Sequence, residues 1–299
     1  MRLKIILYTT VVVFVSTSAI TGLCDNHAGS GLSGPELKHK HRAVCIGINT
    51  YEDTTLRPLQ NASNDAHGVS AVLNKQGQFA VYTFSDRRDR NTTFPDSNRQ
   101  HPSKNNIESF FSNRDVFDNV APDDLMVVFF SGHGINDSNG SGYLLPSDWK
   151  RDKPFSSAVA ISFITDRLKE LGISRSLIIL DTCRNVMVDS KSPENLAWLS
   201  GEKFDTDTVS AVFYSTNVNG YSFEDPHTEY GAFSRFIIYG LQGRGDINSD
   251  KRVTIGELST YVRDSLISWA LENGFSQRPY IRLMNEKCEN ITLTMVPEQ

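Results

Sequence analysis

Five short apolar runs, separated by stretches of helical periodicity, constrain this chain more than any other feature. They are "RAVCIGI" (42–48), "FAVYTF" (79–84), "DLMVVFFSGHG" (124–134), "SLIILDT" (176–182) and "VSAVFYST" (209–216). Apolar residues continue through positions that a half-exposed strand gives to polar ones, so these runs read as strands buried on both faces. Between the first two, "NDAHGVSAVLNKQG" (64–77) sets Ala66, Val69, Val72 and Leu73 on one helical face, with Asn64 as N-cap candidate and Gly77 as stop. Residues 103–119 carry the stripe Ile107, Phe110, Phe111 and Val116. "AISFITDRLKELG" (160–172) carries Ile161, Ile164, Leu168 and Leu171, closed by Gly172. "YGAFSRFIIYGLQG" (230–243) and "IGELSTYVRDSLISWALENG" (255–274) add two more helices, and 291–296 reads as a last strand. Residues 85–102 read as a long exposed loop and "GSGYLLPSD" as a hairpin-like piece. Strands alternating with helices in this way predict an α/β fold, with a mostly parallel central sheet covered by helices on both faces.

The 299 residues suffice for one large α/β domain or two small ones. A net charge of −5 offers no basic surplus for a nucleic-acid partner. The basic runs Lys38–Arg42 and Arg87–Arg90 read as solvated surface. Residues 1–24 have a basic start (Arg2, Lys4), an apolar run from Ile5 to Val15 and small residues after it, the pattern of a signal peptide. The twenty uncharged residues 5–24 are also long enough for an uncleaved membrane anchor. Either way the folded part is extracytoplasmic, in the secretory pathway, outside the cell or in a periplasm. Five sequons, at Asn61, Asn91, Asn136, Asn139 and Asn290, suit a secretory route. Residues 25–41 read as a flexible leader rich in Gly, Ser and Pro. Four cysteines, Cys24, Cys45, Cys183 and Cys288, are too few for a disulfide scaffold. Cys45 reads as a buried small hydrophobe, and a Cys45–Cys288 bridge is the alternative.

In parallel sheets the chemistry gathers in loops at the carboxyl ends of strands. Two such loops carry reactive side chains. "SGHG" sets His133 between glycines that permit a tight turn and close approach to a ligand. "DTCR" sets Cys183 just past its strand. Taken singly, a loop histidine is commonly surface and a lone cysteine commonly inert. Adjacent parallel strands would bring the two together, and a histidine beside a thiol activates it.

His133 and Cys183 are 50 positions apart, the spacing of the caspase histidine and cysteine. "VVFFSGHG" with "GYLLPSD" resembles the histidine loop of the caspase, metacaspase and paracaspase superfamily, and "LIILDTCRN" resembles its cysteine loop. "NDAHGVSAVLNKQGQF" is similar to its first helix, and "AVFYSTNVNGYSFED" with "GAFSRFIIYGL" to its small-subunit strand, loop and helix. The resemblance covers roughly 42–272. It implies a caspase-like three-layer sandwich and a cysteine endopeptidase, with Cys183 as nucleophile, His133 as acid/base and the backbone N–H groups of Gly134 and Cys183 as oxyanion hole. It divides 42–299 into a large-subunit-like part (42–186), a linker (187–208) and a small-subunit-like part (209–299). True caspases carry Gln-Ala-Cys and cut after Asp. This chain has Asp181 two positions before its cysteine, which is similar to the paracaspase and metacaspase form and implies protein or peptide substrates with Arg or Lys at P1. Glu224 and Asp225 are candidates for a second acid of that pocket. A catalytically silent binding module, and a legumain-like or gingipain-like peptidase, are the competing readings. Lys191 and Lys203 offer an enzyme of basic preference sites for self-cleavage in its own linker.

"DINSDKRVTIGE" (246–257) places Asp246, Asn248, Asp250 and Glu257 at positions 1, 3, 5 and 12 of a calcium loop. Calcium is therefore the one candidate cofactor, since the dyad itself requires none. Lys251 stands where such loops have glycine, and "QGRG" before the loop suits an EF-hand poorly. The competing reading is a turn whose acids cap the helix beginning near Ile255.

Overall fold

The computed structural model describes residues 41–86, 99–118, 120–121, 123–182, 184–186, 204–216 and 228–298, with backbone alone at 99 and 184–186. In chain order the strands are β1 (His41–Gly47), β2 (Phe79–Ser85), β3 (Arg99–Gln100), β4 (Met126–Ser131), β5 (Gly134–Asn136), β6 (Gly142–Leu144), β7 (Val159–Ala160), β8 (Ser176–Asp181), β9 (Arg184–Val186), β10 (Ala211–Tyr214), β11 (Arg252–Thr254), β12 (Tyr280–Leu283) and β13 (Thr292–Met295). The helices are α1 (Ala62–Gln76), α2 (Lys104–Ser112), α3 (Ile161–Glu170), α4 (Ala232–Tyr239) and α5 (Ile255–Glu272).

A seven-stranded sheet in the order β12-β10-β8-β4-β1-β2-β3 forms the middle layer. Its strands are parallel except β12, which runs antiparallel to β10. Successive side chains of a strand point to opposite faces, and the core divides accordingly. Ala43 and Cys45 of β1, Val127 and Phe129 of β4, and Leu177 and Ile179 of β8 pack with α1, α4 and α5. Val44 and Ile46, Val128 and Phe130, and Ile178 and Leu180 pack with α2 and α3. Each strand is thus buried on both faces, which is why its apolar run is unbroken. A four-stranded sheet, β7-β6-β5-β9, extends from the carboxyl ends of β4 and β8, and β11 and β13 form a separate antiparallel pair.

Several expectations are corrected. The N-cap of α1 is Asn61, and Asn64 lies inside the helix, where its amide donates to the Glu229 carbonyl. The loop 85–102 contains the short strand β3, laid parallel to β2. Residues 103–119 split into α2 and a 3₁₀ turn, Arg114–Phe117. Arg42 is not solvated surface: it is 3% exposed, pairs with buried Asp124 at 3.3 Å, and donates to the Val116 and Asp118 carbonyls. Burial of an arginine on these terms is tolerable because its donors are answered. Cys45 and Cys288 are both buried free thiols, so the bridge between them does not exist. Cys45 points from mid-strand into the α1 face of the core, whereas Cys288 sits in the 3₁₀ turn Glu286–Asn290, its thiol 3.2 Å from Asn285. Among the described residues no helix is long and apolar enough to cross a membrane.

Candidate active site

The site is built where β4 and β8 end side by side. Their register runs from Met126↔Ser176 to Ser131↔Asp181, so the histidine loop and the cysteine loop leave the sheet as neighbours. The Gly132 N–H donates to the Asp181 carbonyl at 3.1 Å and ties the two loops together. Two residues later, Gly134 pairs in parallel with Arg184. A Cβ at Gly134 would lie 2.6 Å from Thr182 Oγ1, so the glycine is what lets the loops close to this distance. Cys183 itself lies outside the described residues, as do Glu224, Asp225, Lys191 and Lys203. Its chain neighbours on both sides, Thr182 and Arg184, are those that meet Gly134.

His133 is held at several points. Its Nε2 is 2.7 Å from the Arg57 carbonyl. A carbonyl can only accept, so Nε2 carries the proton and donates it to the Arg57 carbonyl. Its backbone N–H donates to the Tyr51 hydroxyl at 2.8 Å, and the two rings lie 5.1 Å apart. Its carbonyl accepts from Leu145 N–H at 3.0 Å.

Below this turn, two buried carboxylates converge. Asp181 Oδ2 accepts from the Ser234 hydroxyl at 2.6 Å and from the Ser234 N–H at 3.3 Å. Asp65, from the first turn of α1, accepts from Gly231 N–H and from the Ser131 hydroxyl, both at 2.8 Å. Gly231 is the N-cap of α4, and a Cβ there would lie 3.2 Å from Asp65 Oδ2 and 3.3 Å from Asp181 Oδ2. The amino end of α4 therefore faces two acids, a favourable placement for negative charge. Sequence reasoning missed Asp65. Its signal was an acid in the "SNDA" opening of α1, indistinguishable in the sequence from an ordinary first-turn acid.

The candidate calcium residues do meet. Oxygens of Asp246, Asp250 and Glu257 lie within 4.8 Å of one another. Lys251 adopts the left-handed conformation, φ 66°, that glycine usually supplies. α4 is followed by a π-helical turn, Gly240–Arg244, but Gly243 within it has a non-helical φ of 119°, so the helix is broken at "QGRG" before Asp246. The side chains already have partners within the turn. Asp246 accepts from the Asp250 and Lys251 N–H groups, Asn248 from Asp250 N–H, and Asp250 from the Arg252 guanidinium. Glu257 Oε2 accepts from Thr254 N–H while Thr254 Oγ1 accepts from Glu257 N–H, a capping box that opens α5.

A sequence profile of the caspase domain matches residues 40–288. The chain belongs to the caspase family. Among solved structures, caspase-1 from Spodoptera frugiperda superposes with a TM-score of 0.53 at 14% identity, over 88% of this chain and 92% of that one. At that identity the likeness is one of fold. No curated protein matches the chain. The caspase domain brings with it the class of cysteine peptidases acting on proteins, and its matched span takes in both the β4 and β8 loops.

Proposed function

We propose that this caspase-family chain is an active cysteine endopeptidase that cuts after Arg or Lys in an extracytoplasmic compartment. Cys183 is the nucleophile and His133 its acid/base. Nδ1 of His133 takes the thiol proton, and the thiolate attacks the scissile carbonyl. The Gly134 and Cys183 N–H groups receive the oxyanion, a contribution worth about 10²–10³ in rate per donor. Nδ1 then returns the proton to the leaving amine, and water hydrolyses the acyl-enzyme. No cofactor enters this chemistry.

The observation that carries the specificity is the convergence of Asp65 and Asp181 on Gly231, behind the histidine turn. A cationic P1 side chain gains from paired carboxylates, and an acidic one is repelled. Glu224 or Asp225 would add a further acid from the neighbouring loop. Wild type and Cys183→Ala are to be compared on fluorogenic peptides ending in Arg, Lys or Asp. Hydrolysis of the Arg and Lys peptides by wild type alone is expected. Asp-directed cleavage would refute the specificity, and equal activity of the two proteins would remove Cys183 from the mechanism.

A further inference from the structure

We propose that Tyr51 is a positioning residue for His133, a role that rests on the dyad reading above. Tyr51 lies in the β1–α1 loop and touches His133 in two independent ways. Its Oη accepts the His133 backbone N–H at 2.8 Å. Its ring lies 5.1 Å from the imidazole, tilted by 42°. The residue before the histidine is shaped to allow this, since a Cβ at Gly132 would lie 2.9 Å from Tyr51 Oη.

The loop bearing Tyr51 is itself anchored on both sides of it. The Asp86 carboxylate accepts from Asn49 N–H, Thr50 N–H and the Thr50 hydroxyl. Glu52 N–H donates to the Ser147 carbonyl at 2.8 Å. The same loop supplies the Arg57 carbonyl that meets Nε2. The imidazole is thus located by its backbone, by one flank of its ring and by its far nitrogen, and Tyr51 provides the first two. Burial pushes the phenol pKa well above its ordinary value. Tyr51 therefore stays neutral and meets the His133 backbone N–H as an acceptor. Such a group acts by geometry: a misplacement of ~1 Å in a reacting group costs on the order of 10²-fold in rate.

Tyr51→Phe keeps the ring and removes the acceptor. The first measurement needs no catalysis: the His133 ring resonances are followed by NMR in histidine-labelled protein and assigned through His133→Gln. The proposal expects them to shift in Tyr51→Phe, and unchanged resonances would overturn it. The second is kcat per site, with sites counted by an irreversible arginyl chloromethyl ketone, so that any misfolded fraction drops out. A fall of about tenfold with KM unchanged is expected, the mark of an interaction made in the transition state. An unchanged kcat per titrated site would equally overturn the proposal. If the dyad reading alone fails, wild type will be inactive or will keep its activity in Cys183→Ala, while the His133 resonances still move.

Discussion

At Gly134 a single methyl group decides whether two loops can touch. A Cβ there would lie 2.6 Å from Thr182 Oγ1 and 3.3 Å from the Tyr143 carbonyl, so it must push β5 away from the cysteine loop. Gly134→Ala is expected to lower kcat/KM by about 10²-fold, the cost of displacing one oxyanion donor, with folding retained by circular dichroism. Full activity in this variant would remove the Gly134 N–H from the mechanism. The cysteines separate as sharply. Burial in the core pushes the Cys45 thiol up to about 12, and only a thiolate is nucleophilic. Native iodoacetamide at pH 8 should therefore modify Cys183 and spare Cys45, as read by peptide mass mapping, and labelling of Cys45 in folded protein would contradict its burial. As candidates, His133 and Cys183 were legible in the sequence because a glycine-flanked histidine and a cysteine, each at a strand end and 50 positions apart, resemble the caspase pattern. Asp65 and Tyr51 were not, because an acid in a first helical turn and a tyrosine in a loop acquire meaning only from what the fold sets beside them.

Among the elements, the β1–α1 loop shows how one carboxylate can organise a segment. Asp86, just past β2, accepts from Asn49 and Thr50 and from the Ser63 hydroxyl in the first turn of α1. Burial pushes its pKa up, but these bonds outweigh burial and leave it below the ordinary carboxylate value. Folding thus lowers this pKa. Its stabilisation is complete above the unfolded value of roughly 3.9 and fades as pH falls through the folded one. Asp86→Ala is expected to cost about 2 kcal/mol at pH 7, with the gap to wild type closing in urea melts repeated below about pH 4. A gap independent of pH would mean that packing, not charge, sets the cost. Glu257→Ala, which breaks the capping box of α5, should cost about 1 kcal/mol. The inner strands were legible because burial on both faces makes their apolar runs continuous. β12 was not: "YIRL" is an edge strand with an exposed Arg282, and its antiparallel pairing with β10 is tertiary. The short strands β5 and β9 were obscure for a related reason, being three residues each and defined by partners rather than by pattern, whereas β6 lies in the hairpin-like "GSGYLLPSD" and does pair antiparallel with β5.

On the scale of the whole molecule, the two parts divided by the linker cannot be separate bodies. β10, from the second part, lies within the main sheet, between β8 and β12, with Ala211↔Leu177 through Tyr214↔Leu180 in parallel register. Ser210 N–H donates to the Ser176 carbonyl, and Ser215 N–H to that of Leu180. Phe213, Phe233, Ile237, Ile238 and Leu258 from the second part fill the same core as Ala66, Val69, Phe129 and Ile179 from the first. A fully buried side chain of this kind contributes about 1.5–3 kcal/mol, so the surface shared by the parts holds them together without a covalent link. The setting of the acid pair is also shared between them: Asp65 and Asp181 come from one side of the linker, and the donors Gly231 and Ser234 from the other. Cleavage at Lys191 or Lys203 should accordingly leave a nicked molecule that elutes at the mass of the intact chain on native size exclusion and splits into two bands only in denaturant. Cys183→Ala should stay whole on storage and, when nicked by added trypsin, give the same single native peak. Fragments that separate without denaturant would show that the chain connection, rather than the shared core, holds the site together.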